Sequence, residues 1–297
     1  MTFLDDIAFG AFGALGRLSR ALPVASARGM WRGLGWLAGD VARIRRGVVD
    51  RQLAACYPEL PPHERARLAR GVYRHLATSL AEILADDPRA RPAAVGVEPG
   101  WAPVESALAG GRGAIIASAH LGNFELGGRV LAARYRLLDV VKPMRNRRFG
   151  DWLEQERRRH GIGTVGVDGA APAVLAHLRA GGLVSLLLDQ DAGAGGVRVP
   201  FLGREASAWP GAARFSLQTG CPVVPMGIVR GADGRHVLHV GPALSPVGRP
   251  ADEDGIRAYT AEISAAVEVF IRLAPEQWFW VHRRWKEVER AGGGRQA

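Results

Sequence analysis

The chain has 297 residues, of which 47% are apolar and 23% are charged, as is ordinary for a folded protein, and it contains no low-complexity block or internal repeat. Its 39 basic and 29 acidic side chains leave a formal charge of +10. This excess fits a GC-rich genome that encodes Arg in place of Lys, an anionic membrane, a phosphorylated ligand or nucleic acid. Its two cysteines, Cys56 and Cys221, form no CxxC pair or disulfide framework, which excludes a disulfide-stapled fold and favours a reducing, cytosolic side.

The N-terminal segment, residues 3–47, is rich in Leu, Ala, Phe and Trp, with arginines recurring every few residues. No uninterrupted apolar stretch in it approaches the ~18–20 residues of a spanning helix, and Asp5 and Asp6 stand where a secretory signal would be positive. The pattern predicts an amphipathic helix whose apolar side lies in an anionic membrane interface or covers the protein's own core. Because the net charge fits the membrane, we expect a helical, membrane-associated region over residues 1–100.

The remaining chain alternates between two kinds of apolar pattern. Residues 60–85 have prolines at their start and apolar residues at three- and four-residue spacing, which predicts a long helix. The predicted strands after Pro103 are GAIIASA, LLDVVKP, LVSLLL, CPVVPMGIV and HVLHVG, and the predicted helices between them are NFELGGRVLAARY, RFGDWLEQERRRHG, APAVLAHLRAGG and PGAARFSLQTG. This alternation predicts an α/β domain over residues 101–297, with a largely parallel sheet flanked by helices, continuous with the N-terminal region as one structural unit.

The stretch SAHLGNFELGG places His120 five residues ahead of Glu125. Since a strand is predicted before it and a helix after it, His120 falls at the carboxyl edge of a parallel sheet, where ligands of such sheets bind. If Gly122 or Asn123 caps the helix, His120 lies outside it and can fold back towards Glu125. A carboxylate beside an imidazole fixes its tautomer and stabilises the imidazolium, as a general base for a hydroxyl requires. The alternative is a buried histidine followed by a carboxylate that only caps the helix.

Motifs of other enzyme classes are absent from the sequence or lack their context. There is no GxSxG elbow, HExxH motif, CxxC cluster or P-loop, so no metal site is predicted. Gly161–Gly166, GIGTVG, formally matches the dinucleotide fingerprint, but that fingerprint needs a preceding strand and a charged helix is predicted there. We interpret it as a helix end followed by a short strand. A nucleotide-dependent oxidoreductase and a non-catalytic basic membrane- or nucleic-acid-binding protein remain as alternatives of other classes.

Three stretches carry a family resemblance in their order along the chain. They are SAHLGNFELGG, then LLLDQDAGAGGVRVPFLGREASAWPGAARFSLQTGCPVVPMGIVR, then PEQWFWVHRRWK. Together they resemble the late acyltransferases of bacterial lipid A biosynthesis, a family of glycerophosphate acyltransferase-like fold that also includes the actinobacterial phosphatidylinositol mannoside acyltransferases. The resemblance runs from about Gly113 to Lys286, and the first hundred or so residues match only in their helical, membrane-associated character.

The resemblance implies transfer of a fatty acyl chain from a thioester of acyl carrier protein or coenzyme A to a hydroxyl of a glycolipid. The acceptor would belong to lipid A and lipopolysaccharide synthesis or, as the alternative, be a phosphatidylinositol mannoside or another lyso-glycolipid. His120 would be the general base and Glu125 its orienting carboxylate, with the backbone amides of Gly122 and Asn123 as candidate oxyanion donors. We expect no metal, redox cofactor or nucleic-acid partner, and a location on the cytoplasmic face of the inner membrane, against its anionic surface.

Asp189, Gln190 and Asp191 are candidates for substrate binding. They end the predicted strand LVSLLL, and the carboxyl ends of parallel strands share one sheet edge, so we expect them on the same edge as His120. There they either position the hydroxyls or sugar of the acceptor or close a buried strand with a polar turn.

Several basic residues are candidates for phosphate contacts. Arg204 falls where the broader superfamily keeps an arginine for the acceptor phosphate, although Leu202 replaces the acidic residue of that motif. Arg157, in the run ERRRHG, either meets phosphate or belongs to a solvated basic helix end. Residues 282–286, HRRWK, either hold a phosphorylated substrate or dock a C-terminal helix.

Overall fold

The computed structural model describes residues 3–84 and 87–293. The strands within these ranges are β1 (Gly96–Glu98), β2 (Ala114–Ser118), β3 (Leu137–Val141), β4 (Ile162–Gly166), β5 (Leu183–Leu187), β6 (Val197–Phe201), β7 (Arg204–Ala208), β8 (Val223–Arg230) and β9 (His236–Val240). The α-helices are α1 (Phe3–Ala21), α2 (Val24–Trp36), α3 (Arg46–Cys56), α4 (Pro62–Leu84), α5 (Ala102–Leu108), α6 (Phe124–Ala132), α7 (Arg147–Arg159), α8 (Ala171–Arg179), α9 (Gly211–Thr219), α10 (Glu253–Leu273) and α11 (Lys286–Gly293).

Seven strands form one sheet in the order β1-β9-β8-β2-β5-β3-β4, and β6 and β7 form a separate antiparallel hairpin. All neighbours in the large sheet are parallel except β8 and β9. The prediction of a largely parallel sheet flanked by helices is therefore confirmed, and each strand and helix predicted after Pro103 is present. Gly161–Gly166 is a helix end followed by the edge strand β4, and α7 stands where a dinucleotide fingerprint would need a strand.

The centre of the sheet positions the two segments that matter for function. Strand β2 is buried over Ala114–Ala117, as expected for a parallel strand covered on both faces. It pairs with β5 so that Ser118 lies opposite Leu187, and the Leu188 N–H donates to the Ser118 carbonyl at 2.9 Å. The chain segments that leave these two strands therefore begin side by side at the carboxyl edge of the sheet.

The N-terminal helices pack on the rest of the protein. Trp31 lies in an apolar cluster with residues of α4, and its indole N–H donates to Ser19 at 2.8 Å. The Phe12 ring packs edge-on against Phe149 and Trp152 of α7, with centroids 4.9 and 5.1 Å away. Part of the apolar side of this segment thus covers the protein's own core, as the second alternative predicted. None of the helices within the described ranges combines the length and apolarity needed to cross a membrane.

The β6–β7 hairpin turns through Leu202 and Gly203, whose φ angles are 49° and 75°. Two successive residues with positive φ form the tight turn that fits the twist of a two-stranded ribbon. The turn is held by Glu268 of α10, which accepts a hydrogen bond of 2.5 Å from the Leu202 N–H. As a result, Arg204 stands at the first position of β7, directly after the turn.

Candidate active site

His120 and Asp189 meet at the carboxyl edge of the sheet. His120 follows β2 and Asp189 follows β5, and the Nδ1 atom of His120 lies 2.8 Å from Oδ1 of Asp189. The backbone N–H of His120 also donates to Oδ2 of Asp189 at 3.0 Å. One carboxylate therefore holds both the ring and the backbone of the histidine. The side chain of Asp189 is 2% exposed and that of His120 is 21% exposed, so the histidine remains accessible while its partner is sealed.

The contact between Asp189 and His120 sets the tautomer of the imidazole. An ionised carboxylate only accepts hydrogen bonds, so Nδ1 carries the proton and Nε2 is the free basic nitrogen of neutral His120. Burial alone would lower the pKa of His120, but the charge and the hydrogen bond of Asp189 raise it above its usual value. Burial would raise the pKa of Asp189, and its contacts with His120 and Trp278 lower it instead. Such a pair is equipped to take a proton from a hydroxyl group.

Aromatic side chains enclose this pair. The buried indole of Trp278 donates its Nε1–H to Oδ2 of Asp189 at 2.7 Å. The rings of Phe124 and Phe279 lie 5.0 and 5.9 Å from the His120 ring, measured between centroids. This surrounding limits the access of water to the carboxylate, which strengthens its electrostatic effect on the imidazole.

Glu125 has a different partner from the one expected. It lies in the first turn of α6, and its carboxylate accepts two hydrogen bonds from the guanidinium of Arg157, of 3.1 Å from Nε and 2.5 Å from Nη2. The orienting hydrogen bond that the sequence analysis assigned to Glu125 is thus made by Asp189. The physical reason is that β2 and β5 are neighbours in the sheet, whereas Arg157 at the end of α7 offers Glu125 a bidentate charge-assisted contact.

The Glu125–Arg157 pair lies on the wall of a cavity of about 60 Å³ beneath α6. Asp139 lines the same cavity with its Oδ2 4.0 Å from Nε of Arg157, and burial raises the pKa of Asp139 to about 6. The apolar wall comes from the sheet and α6, through Ile116, Leu131, Leu187, Met226, Ile228 and Leu238. The cavity therefore combines a hydrocarbon-like wall with a charged rim.

The turn between β2 and α6 is tightly fixed. A side chain on Gly122 would place its Cβ 1.9 Å from the carbonyl oxygen of Ile228, so only glycine fits, with φ at 60°. The N–H of Gly122 donates to the Gln277 carbonyl at 3.1 Å, so this amide is engaged and not free to stabilise an oxyanion. Asn123 caps α6, its side chain accepting from the Leu126 N–H at 3.1 Å, as the sequence analysis allowed.

The other residues of the DQD segment lie on the same edge as His120, as predicted. Nε2 of Gln190 is 3.4 Å from Nε2 of His120, on the side where a substrate hydroxyl would approach. The backbone N–H of Asp191 donates to Nε2 of His282 at 3.1 Å, and its carboxylate accepts from the Glu287 N–H at 3.3 Å. Asp191 and His282 thus dock the C-terminal segment against this edge.

Arg204 lies outside this cluster. Its guanidinium stacks over the ring of Trp285 at 4.8 Å, and its Nη2 is 3.5 Å from the carboxylate of Glu289. Trp285 in turn packs edge-on against Trp278, with centroids 6.2 Å apart. A chain of aromatic contacts therefore separates Arg204 from Asp189, and the arginine side chain is 28% exposed.

Two parts of the site are not predicted by the sequence patterns. The first is Trp278 of the PEQWFWVHRRWK motif, whose indole fixes Asp189. The second is a buried polar cluster behind the Gly122–Asn123 turn, built on Glu82 and Arg230. A carboxylate at an otherwise apolar position of α4 is the signal that would have pointed to it.

Comparison with known proteins gives a consistent result. A sequence model of the bacterial lipid A biosynthesis acyltransferase family matches residues 7–287. The lipid A biosynthesis palmitoleoyltransferase of Escherichia coli (strain K12) is 27% identical over 267 residues, which cover 85% of this chain and 82% of the relative. The lipid A biosynthesis lauroyltransferase of the same strain is 28% identical over 264 residues, with coverage of 86% and 83%. A lipid A biosynthesis acyltransferase of Haemophilus influenzae is 24% identical over 289 residues, with coverage of 92% and 88%.

Proposed function

Since this chain belongs to the bacterial lipid A biosynthesis acyltransferase family, we propose that it transfers a fatty acyl chain from a thioester of acyl carrier protein or coenzyme A to a hydroxyl of a lipid A precursor. The observation that carries the proposal is the buried Asp189 carboxylate on Nδ1 of an accessible histidine. This arrangement supplies a general base for a hydroxyl, and it needs no nucleophilic residue because a thioester can be attacked directly by an alcohol.

In the proposed reaction, Nε2 of His120 takes the proton of the acceptor hydroxyl while its oxygen attacks the thioester carbonyl. A carbon–oxygen bond forms and the carbonyl oxygen becomes an oxyanion, for which the backbone N–H of Asn123 is the proposed hydrogen-bond donor. The tetrahedral intermediate then collapses, the carbon–sulfur bond breaks, and the thiolate takes the proton from the imidazolium. Asp189 stabilises the imidazolium between the two steps. Neither step requires a metal or a redox cofactor, and we propose that none is used.

Gln190 and Arg204 are the proposed contacts for the acceptor. Gln190 is close enough to Nε2 of His120 to hold the hydroxyl that loses its proton. Arg204 is partly exposed and held over Trp285, with one long ion-pair contact to Glu289. Its planar guanidinium can therefore donate hydrogen bonds to a phosphate. Lys cannot reproduce that planar contact, so Arg204→Lys should raise the KM for a phosphorylated acceptor and change kcat little. An unchanged KM would remove Arg204 from this role.

The cavity beneath α6 is the proposed entrance for the acyl chain. Its volume is only about 60 Å³, so a long chain enters only if side chains such as Leu131 move. The charged rim formed by Glu125 and Arg157 would then stay at the thioester end, with the methyl end among the apolar residues.

We also propose that the protein works on the cytoplasmic face of the inner membrane and binds the bilayer from one side. The supporting surface runs from Trp36 to Arg45, where the apolar side chains Trp36, Leu37, Val41 and Ile44 are 46–59% exposed. Arg43 and Arg45 are exposed beside them. Exposed tryptophan and aliphatic side chains next to arginines suit the interface of an anionic bilayer.

Comparing the glycolipids of cells with and without the gene tests the proposed function. Mass spectrometry should show a precursor that lacks one acyl chain in the deleted strain, and the missing mass identifies both acceptor and chain. A phosphatidylinositol mannoside or another lyso-glycolipid as the affected lipid would replace lipid A as the acceptor. Unchanged glycolipid masses would overturn the acyltransferase proposal for this chain.

A further inference from the structure

A buried polar cluster lies behind the turn that follows His120. Its centre is Glu82 of α4, whose side chain is fully buried. Arg230, at the end of β8, forms two hydrogen bonds with this carboxylate, of 2.8 Å from Nε and 2.7 Å from Nη2. His236 of β9 places its Nε2 3.2 Å from the same carboxylate. The cluster joins the N-terminal helical region to the sheet.

The cluster contacts the turn after His120 at three points. The side-chain amide of Asn123 donates to Oε2 of Glu82 at 3.0 Å. Nε2 of His75 lies 3.2 Å from the Gly122 carbonyl oxygen, while the Gly122 N–H is held by the Gln277 carbonyl. Gln277 itself accepts from the N–H of Arg230 at 2.9 Å and donates to its carbonyl at 2.7 Å. The N–H and the carbonyl of Gly122 and the side chain of Asn123 are therefore all held by hydrogen bonds.

The charge states of the cluster follow from these contacts. Burial alone would raise the pKa of Glu82, but the nearby His236 and the hydrogen bonds of Arg230 lower it to about 2, so Glu82 is ionised. Burial and the charge of Arg230 lower the pKa of His75 to about 3, so His75 is neutral. Nη1 of Arg230 lies 2.8 Å from Nδ1 of His75 and can only donate. The proton of His75 is consequently on Nε2 and points at Gly122.

Stability alone is a weak reason to keep such a cluster, because a well-packed apolar replacement for a buried ion pair is often as stable or more stable. What the cluster adds is a fixed backbone conformation for the Gly122–Asn123 turn. His120 is separated from Gly122 by a single residue, and its ring must stay within hydrogen-bond distance of Asp189. A displacement of about 1 Å at a reacting group can cost up to about a hundredfold in rate.

We propose that Glu82 and Arg230 are positioning residues of the acyl transfer, which hold His120 against Asp189 through Asn123 and Gly122. This inference rests on the proposed function, in which His120 is the base. It extends the site to α4, which contributes no group to the reacting atoms. The cluster acts as a rigid support rather than as a proton carrier, because Glu82 is ionised and the neutral His75 donates its proton to the Gly122 carbonyl.

An exchange of the amide and the carboxylate tests this proposal. Glu82→Gln removes the charge opposite Arg230, and Asn123→Asp keeps an N-cap for Leu126 but sets a second carboxylate against Glu82. Each single variant should lower kcat by about tenfold or more with KM within about twofold. The double variant Glu82→Gln/Asn123→Asp restores one carboxylate and one amide, and should recover most of kcat. Asp87→Asn is the matched control, since Asp87 is also buried and ion-paired, to Arg28 at 2.6 Å, but makes no contact with the turn.

The pKa of His120, followed by NMR titration of histidine-labelled protein and assigned with His120→Gln, separates positioning from plain stability. Glu82→Gln should lower this pKa because the contact with Asp189 loosens, whereas Asp87→Asn should lower only the melting temperature. Unchanged kcat and His120 pKa in folded Glu82→Gln and Asn123→Asp proteins would overturn the proposal, as would a double variant no better than the worse single one. Because the titration needs no substrate, an inactive wild-type protein would refute the proposed function without affecting this readout.

Discussion

Asp189 holds His120 through both of its carboxylate oxygens, one on the ring nitrogen Nδ1 at 2.8 Å and one on the backbone N–H at 3.0 Å. The two residues are 69 positions apart in sequence and meet because their strands are neighbours. Glu125, only five residues from His120, is paired with Arg157 instead. The carboxylate that orients the base therefore comes from the adjacent strand and not from the helix that follows the base.

Replacing Asp189 by Asn should remove most of the activity. The amide of Asn can donate to Nδ1, which would move the imidazole proton to Nε2 and leave no free base, so kcat should fall by roughly 10³–10⁴-fold. The raised pKa of His120 means that wild-type activity should rise with pH through a value above 6.5. In Asp189→Asn the residual activity should rise at a lower pH, because the charge that raised the pKa is gone. A pH–rate profile of the two proteins measures both effects, and coincident profiles would refute the role of Asp189.

Glu125→Gln should act mainly on stability. The Glu125 and Arg157 side chains are 7% and 13% exposed, and removal of one partner of a buried pair leaves an uncompensated charge at a cost of ~3–5 kcal/mol. The double variant Glu125→Gln/Arg157→Gln should regain much of this free energy of unfolding, as measured by urea denaturation. A Glu125→Gln protein of wild-type stability but with a large loss of kcat would restore Glu125 to a direct catalytic role.

Membrane binding should depend on the surface from Trp36 to Arg45. The backbone of this surface is held from the protein interior at Ile44, since the Tyr73 hydroxyl donates to the Ile44 carbonyl at 2.5 Å. Replacing Trp36, Val41 and Ile44 by Ser should reduce sedimentation with anionic vesicles, and raised salt should release the wild-type protein because each nearby arginine contributes ~1 kcal/mol.

The matched control replaces Val269 and Leu273, which are 56% and 57% exposed on α10, by Ser and should leave vesicle binding unchanged. Equal loss in both variants would indicate a nonspecific apolar effect. No loss in the Trp36 variant would move the membrane contact elsewhere, with the exposed Ile7 and Leu18 of α1 as the next residues to change.

The local features of this fold were predictable from sequence, and the long-range contacts were not. The strand β2, the cap at Asn123 and the helix α6 are encoded by consecutive residues, so periodicity and capping rules identify them. The sequence also predicts that His120 and Asp189 share one sheet edge, but a single sequence does not predict which strands are neighbours in the sheet. The choice of Asp189 over Glu125 as the partner depends on that strand order.

The same limit explains why the supporting cluster was missed. Glu82 and Arg230 are 148 residues apart and lie in segments that each look ordinary, a long amphipathic helix and a buried strand. Their contact exists only once α4 packs on the end of β8. The N-terminal segment shows the converse, because its amphipathic pattern fits core cover and membrane contact equally, and the structure shows Phe12 and Trp31 in core contacts.

The most direct test of the account is acyl transfer by His120→Ala, measured in a single turnover with acyl thioester and lipid acceptor by mass spectrometry. The protein should remain folded, as judged by its melting temperature, and should still bind vesicles. Its rate should fall by at least about 10²–10⁴-fold, and Asp189→Asn should add little further loss when combined with it, because the two residues act as a unit. A His120→Ala enzyme that transfers the acyl chain at a rate close to wild type would contradict the account.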